Sequence, residues 1–368
     1  MGRLQLVQKR RETGVSPEEA SARSAGLRYV SDKRPGITRQ RSDRGFVYRR
    51  PDGSRVNDAA TLLRIRRLVI PPGWQDVWIS TDPNGHLQAV GRDARGRKQY
   101  RYHAQWRTVR DEAKFGRMIE FGQTIAAIRR RVAADLRQPP RSREHVLAMV
   151  MRLLERTLIR VGNDEYARAN RSYGLTTLRS RHVSIRGAKL RFTFRAKSGV
   201  PQRIDLEDAR LARSVRRCQD LPGQTLFQYV DDDGAAQAVD SGDVNAYLRA
   251  SAGEDFSAKD FRTWAGTVLA AMVLADLPDA VSQTARQRAL VAAVDVVASR
   301  LGNTRAVCRR CYIHPAVLEA YLDGETIDVP PGQRRVVASP GSPLPRAAEQ
   351  AVLALLKRRL SRAAKRAA

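Results

Sequence analysis

A tyrosine, Tyr312, stands in the basic stretch Arg305-Ala-Val-Cys-Arg-Arg-Cys-Tyr312, nine residues after the small polar side chain Asn303. A phenol is a poor nucleophile at neutral pH, with an ordinary pKa of about 10. Toward a phosphodiester it nevertheless has one clear use. It can displace an alcohol and hold the phosphoryl group as an ester until that alcohol returns. Most tyrosines are half-buried packing residues, so the reading of Tyr312 depends on what lies upstream.

Three cations upstream bear on it. Arg160 stands where an apolar helix ends, in Leu158-Ile-Arg-Val-Gly162; alone it reads as a solvated helix-end arginine. Lys197 closes the strand Arg191-Phe-Thr-Phe-Arg-Ala-Lys197 at a turn, where an exposed hairpin lysine usually does nothing. Arg262, in Ser257-Ala-Lys-Asp-Phe-Arg-Thr-Trp264, falls near a helix start and alone reads as a phosphate contact or an ion pair with Asp260. Only nine of the 67 Lys and Arg residues are lysines. A lysine kept where arginine is the default invites a chemical reason, because lysine can release a proton near neutral pH and arginine cannot.

The formal net charge is +29, of which the stretch 27–331 carries +19. A folded body that basic repels itself unless it meets a polyanion, and counterion release would drive much of its binding to nucleic acid. Three cysteines (Cys218, Cys308, Cys311) imply no disulfide framework. Cys308-x-x-Cys311 with His314 superficially suggests zinc, but a structural site wants four ligands and Cys218 lies ninety residues away. No run of 18 apolar residues occurs, so a soluble, cytoplasmic protein is expected.

The elements that must position these residues divide in two. From Gly26 to about Tyr102, short strands are predicted at Leu27–Val30, Phe46–Tyr48, Val77–Ile79, Leu87–Val90 and Gln99–Tyr102, with a helix at Ala59–Leu68. Helices are predicted over Trp106–Phe121, Gly122–Leu136 and Arg143–Leu158. A three-strand stretch is expected in Gly174–Leu178, His182–Ile185 and Leu190–Ala196, and mainly helix from Asp205 to Leu322. Proline-rich sequence then leads to a basic amphipathic helix, Arg346–Ala364, expected to act as an auxiliary phosphate-binding arm.

Together and in this order, these segments resemble the type IB DNA topoisomerases, specifically the small poxvirus-like and bacterial enzymes. The resemblance covers nearly everything from Gly26 to Leu322. It rests on Ile-Arg160-Val-Gly with Tyr166 and Gly174-Leu-Thr-Thr-Leu178 at family spacing, Phe-Arg-Ala-Lys197, Lys-Asp-Phe-Arg262-Thr-Trp, and Asn303 nine residues before Tyr312. Asp93-Ala-Arg-Gly-Arg-Lys-Gln-Tyr-Arg-Tyr102 is similar to the family's DNA-facing strand.

The resemblance implies an α+β fold arranged as a two-lobed DNA clamp. A leader (1–25) precedes a small N-terminal β-rich domain (26–103). A larger, mostly helical catalytic domain with a small three-stranded sheet (104–329) follows, then the linker and basic helix (330–368). It implies Tyr312 as nucleophile with Arg160, Lys197, Arg262 and Asn303, and Arg97, Lys98, Tyr100, Tyr102, Tyr166, Thr177 and Lys259 as DNA contacts. It also implies double-stranded DNA as partner, a monomer at the nucleoid, and no cofactor or metal.

Phosphoryl transfer asks a protein mainly for positioning and charge stabilisation. Arg160 and Arg262, with Asn303, would grip the non-bridging oxygens. Lys197 would hand its proton to the departing 5′-oxygen, assisted by resemblance by Arg160, and Tyr312 would take the 3′-phosphoryl group. Exchanging one phosphodiester for another needs neither ATP nor metal. Rotation about the uncut strand then relaxes supercoils of either sign. One departure matters: the poxvirus enzymes carry histidine where this chain has Asn303, which can donate a hydrogen bond but cannot exchange a proton. A tyrosine recombinase shares the Arg, Lys, Arg, Tyr logic but usually carries His-x-x-Arg where this chain has Lys259-Asp-Phe-Arg262. A non-catalytic DNA-binding protein would explain the charge alone.

Overall fold

The computed structural model describes residues 16–43, 45–277, 282–329 and 341–367. Most of the expected leader and of the proline-rich linker lie outside them. The chain divides into two compact units at Gly116/Arg117.

The first unit is built on an antiparallel five-stranded sheet: β1 (Ile37–Ser42), β2 (Gly45–Arg49), β3 (Gln75–Ile79), β4 (Leu87–Arg92) and β5 (Lys98–Tyr102), in the order β2-β1-β3-β4-β5. Helix α1 (Pro17–Ser24) opens with a reciprocal cap between Ser16 and Glu19. Helix α2 (Ala59–Arg67), capped by Asp58, sets Ile65 against Ile37, Val56, Val77, Ile79 and Ala89 to form the core. Burying such side chains contributes about 1.5–3 kcal/mol each. Two expectations fail. Leu27–Val30 makes only an isolated bridge, at Arg28, and β1 was not predicted. Only the first residue of Ile37-Thr-Arg-Gln-Arg-Ser42 is buried, so this strand shows no hydrophobic alternation to read.

Helix α3 (Ala104–Asp135), within which the division falls, runs unbroken through Gly122. The predicted break there is wrong. Gly122 makes room for a neighbour, since a Cβ would lie 2.5 Å from the Trp264 ring. After Pro139-Pro140 come α4 (Arg143–Thr157) and α5 (Asp164–Asn170). A three-stranded antiparallel sheet follows: β6 (Val183–Arg186), β7 (Lys189–Arg195) and β8 (Pro201–Glu207). The predicted strand at Gly174–Leu178 is instead a 3₁₀ turn, Leu175–Thr177, and the third strand is β8, which pairs Phe192 with Ile204.

Helices α6 (Ala209–Gln219), α7 (Ser241–Ala252), α8 (Ala258–Asp276), α9 (Gln283–Leu301), α10 (Arg305–Cys311) and α11 (Pro315–Leu322) follow, with a small hairpin, β9 (Gln228–Val230) and β10 (Ala236–Ala238). Helix α8 is the spine of this unit, buried continuously from Phe261 to Met272.

The last helix, α12 (Arg346–Ala367), corrects another expectation. It packs on α8 and α11, burying Ala348, Val352, Leu355 and Leu356, so it belongs to the core of the second unit. Its basic residues Arg358, Arg359 and Arg362 pair with Asp323 and Glu325.

Candidate active site

Two turns place Arg160. Leu158, left-handed at φ 56°, ends α4, and the chain leaves as Ile159-Arg160-Val161-Gly162. The Leu175–Thr177 turn docks on that stretch. Leu175 N–H donates to the Arg160 carbonyl at 2.8 Å and Thr176 N–H to the Val161 carbonyl at 2.7 Å. A Cβ on Gly174 would lie 2.5 Å from the Arg160 carbonyl oxygen, so only glycine allows this approach. The Thr177 hydroxyl both accepts from Gly174 N–H and donates to the Gly174 carbonyl. Thr177, read from the sequence as a DNA contact, is buried with its hydroxyl spent on this turn; it braces Arg160. The Arg160 guanidinium donates to Asn303 Oδ1 and to the Gly302 carbonyl. It is therefore not a solvated helix-end arginine.

Arg262 sits one turn inside α8. Asp260 is engaged in capping, accepting from Ser257 N–H at 2.8 Å and from Ser257 Oγ at 3.0 Å, and so is not its ion-pair partner. Arg262 is 3% exposed. It donates to the Leu158 carbonyl and, at 2.7 Å, to the Leu301 carbonyl, tying α8 to the ends of α4 and α9. Its Cζ lies 5.2 Å from the centroid of the Tyr312 ring. Burial first, and the Arg160 charge second, lower its pKa to about 10, opposed by the nearby Tyr312 phenol. A cation held this far from water, beside a second cation, favours a nearby anion strongly.

Lys197 follows β7 on the turn Lys197–Gly199. Ser198 (φ 66°) and Gly199 (φ 75°) are both left-handed there, and Ala196 N–H donates to the Val200 carbonyl at 2.8 Å, which fixes the loop. The lysine itself is exposed. Tyr173 N–H, bonded to the Arg195 carbonyl at 2.7 Å, ties this strand to the segment that braces Arg160.

Tyr312 caps α10, donating its N–H to the Cys308 carbonyl at 2.9 Å. Asn303 stands between α9 and α10. Its Oδ1 accepts from Arg160, while its Nδ2 is a buried donor without a partner.

Arg160, Lys197, Arg262 and Tyr312 line one cavity of about 610 Å³. Tyr166 and Lys259 line it too; Asn303 and Thr177 do not. The sequence reading missed Ser241 and Asn245 of α7 on the cavity wall. Asn245 Oδ1 accepts from Ala258 N–H, the first residue of α8, a long-range contact with no local signal. The arrangement sets Arg160, Lys197, Lys259 and Arg262 with the Tyr312 phenol around a space fit for a phosphodiester. Among the described residues no group of three or more His, Cys, Asp or Glu could hold a metal ion, and no helix is long and apolar enough to cross a membrane.

The remaining site residues lie on the first unit. Lys98, Tyr100 and Tyr102 alternate onto one face of β5. Tyr100 is 44% exposed and stacks on Tyr102, with ring centroids 6.0 Å apart. Lys98 pairs with Asp32 at 2.5 Å, and Arg97 with Asp93 at 2.7 Å. The hydrogen bond from Arg97 draws the Asp93 carboxyl down to about 2.

Comparison with known proteins matches this framework. Residues 103–327 match the family model for the eukaryotic DNA topoisomerase I catalytic core, and residues 45–93 that for the bacterial DNA topoisomerase IB N-terminal domain. The chain is 31% identical to the DNA topoisomerase 1B of Acanthamoeba polyphaga mimivirus, over 78% of this chain and 87% of that protein. It is 22% identical to the DNA topoisomerase 1B of Vaccinia virus (strain Copenhagen), over 65% of this chain and 74% of the viral one. The chain belongs to the type IB DNA topoisomerases, and as such is an isomerase that acts on DNA.

Proposed function

We propose that this enzyme relaxes positive and negative supercoils by cutting one strand through a 3′-phosphotyrosyl intermediate at Tyr312, allowing rotation, and resealing. The observation that carries this reading is the convergence of Arg160, Lys197, Arg262 and Tyr312 on one cavity, from four separate elements. The Tyr312 phenolic oxygen attacks phosphorus and the bond to the 5′-oxygen breaks. The phenol proton goes to solvent, and Lys197 delivers a proton to the leaving oxygen. Arg262 and Arg160 hold the non-bridging oxygens as charge builds, with Asn303 as a neutral donor beside them. Religation is the same path reversed, so the phosphodiester energy is kept and no ATP is consumed. Lys259 and Tyr166 on the cavity wall, Tyr100, Tyr102 and Lys98 on β5, and Arg97 just before it bind the flanking duplex, chiefly through phosphates.

The deciding experiment is plasmid relaxation in EDTA without ATP, with Tyr312→Phe beside the wild-type protein. Both supercoil signs should be removed by the wild type, and denaturation during turnover should trap protein on the 3′ end of the nick. Dependence on ATP or on a divalent ion, or relaxation by Tyr312→Phe, would defeat the reading.

A further inference from the structure

Helix α12 lies beyond the matched catalytic core, which ends at residue 327, yet it reaches the residues behind the cavity. Its Glu349 is 5% exposed and both carboxylate oxygens are engaged. Oε2 accepts from Arg129 Nη1 at 2.6 Å, and Oε1 from Arg129 Nη2 at 2.9 Å and from Trp264 Nε1 at 3.0 Å. Arg129, on α3, also pairs with Glu155 of α4. Three helices therefore meet at one buried carboxylate, and Arg129 links a fourth, α4, to it. Burial, the largest influence, raises the Glu349 pKa above its ordinary value, opposed by the bidentate Arg129 guanidinium and the Trp264 N–H.

Trp264 is two residues from Arg262. On a helix that spacing turns the two side chains to opposite sides. Trp264 therefore faces the Glu349 node and Gly122, while Arg262 faces Leu158, Leu301 and Tyr312. One turn on, Gly266 meets the Tyr312 backbone so closely that a Cβ would lie 2.4 Å from its carbonyl oxygen. Helix α8 thus has a rear anchor and no slack in front.

We infer that Glu349 is a positioning residue for the cleavage reaction: through Trp264 it fixes the depth of α8, and hence the placement of Arg262 against Tyr312. This rests on the proposal that Arg262 and Tyr312 carry the chemistry. Releasing the anchor leaves every group at the cavity in place chemically and lets α8 drift by a fraction of an ångström. Such misplacement costs rate more than affinity.

The experiment compares the full-length wild type with Glu349→Gln and Trp264→Phe, with Tyr312→Phe as control. Glu349→Gln keeps the shape but loses the paired charge. Trp264→Phe keeps the Glu349–Arg129 pair and removes the indole donor together with part of the ring packed on Gly122. Single-turnover cleavage and noncovalent duplex affinity are measured at a temperature where circular dichroism shows each variant folded. The expected result is a cleavage rate about tenfold lower in both variants with the dissociation constant for DNA unchanged. If Glu349→Gln does not fold, Trp264→Phe carries the test alone. A wild-type cleavage rate in a folded Trp264→Phe protein, or a loss confined to DNA affinity, overturns the inference. Cleavage by Tyr312→Phe would instead overturn the reading of the site on which it rests.

Discussion

The carbonyl oxygen of Tyr312 occupies space that a side chain on Gly266 would need, with 2.4 Å between that oxygen and an added Cβ. The contact is with backbone, which cannot swing aside as a flexible side chain could. Gly266→Ala is therefore expected to displace Tyr312 or α8. Single-turnover cleavage should fall by about 10²-fold while duplex binding is retained. Wild-type cleavage by the alanine variant would show that the two backbones separate without consequence.

Lys197 separates proton donation from mere charge. Lys197→Ala is expected to slow cleavage by about 10²–10⁴-fold, the range for a lost general acid. On a substrate with sulfur at the 5′-bridging position most of the loss should vanish, because a thiolate leaves without a proton. Arg262→Ala, acting on the non-bridging oxygens, should show no such rescue. Equal defects of Lys197→Ala on both substrates would reduce Lys197 to a phosphate contact.

Asn303 presents a donor, Nδ2, while its oxygen holds Arg160. Asn303→Ala removes both and is expected to slow cleavage by about 10²–10³-fold, the range for one oxyanion donor. Asn303→Asp keeps the acceptor for Arg160, loses the donor and adds a negative charge. It should be at least as defective as the alanine variant. An unimpaired aspartate variant would assign Asn303 to holding Arg160 alone.

Three histidines, His86, His145 and His182, have pKa values lowered first of all by burial. The unfolded chain takes up protons at the ordinary value of 6.5 and the folded one only at lower pH. The folded protein is therefore favoured above 6.5 and loses stability as pH falls below it. Thermal unfolding midpoints of the DNA-free enzyme should decline from pH 7 to pH 5 and be level from pH 7 to pH 8. A midpoint independent of pH across 5–7 would rule out this contribution.

Much of the second unit was legible in the sequence because its signals are local. The apolar spacing of Val146, Leu147, Val150, Leu153 and Leu154 gave α4, and the family resemblance pointed to Arg160, Lys197, Arg262 and Tyr312, which line one cavity. What escaped depends on distant neighbours. Gly122 looks like a helix break until Trp264 is seen against it, and Gly174-Leu-Thr-Thr looks like a strand until it folds onto Arg160. The basic charge of α12 concealed its buried stripe of Ala348, Val352, Leu355 and Leu356. Thr177 was assigned to DNA by resemblance, and its burial could not be read from its neighbours.

The packing of α12 also bears on the order of synthesis. A nascent chain that has just extended through Tyr312 already carries Arg160, Lys197, Arg262, Asn303 and the phenol. It still lacks the helix whose Glu349 closes the node at Trp264 and whose Ala348, Val352 and Leu356 complete the core around α8. These residues are thus translated before the helix that packs behind them. A ribosome paused short of residue 346 presents Tyr312 before the helix that completes the core around α8 has been made.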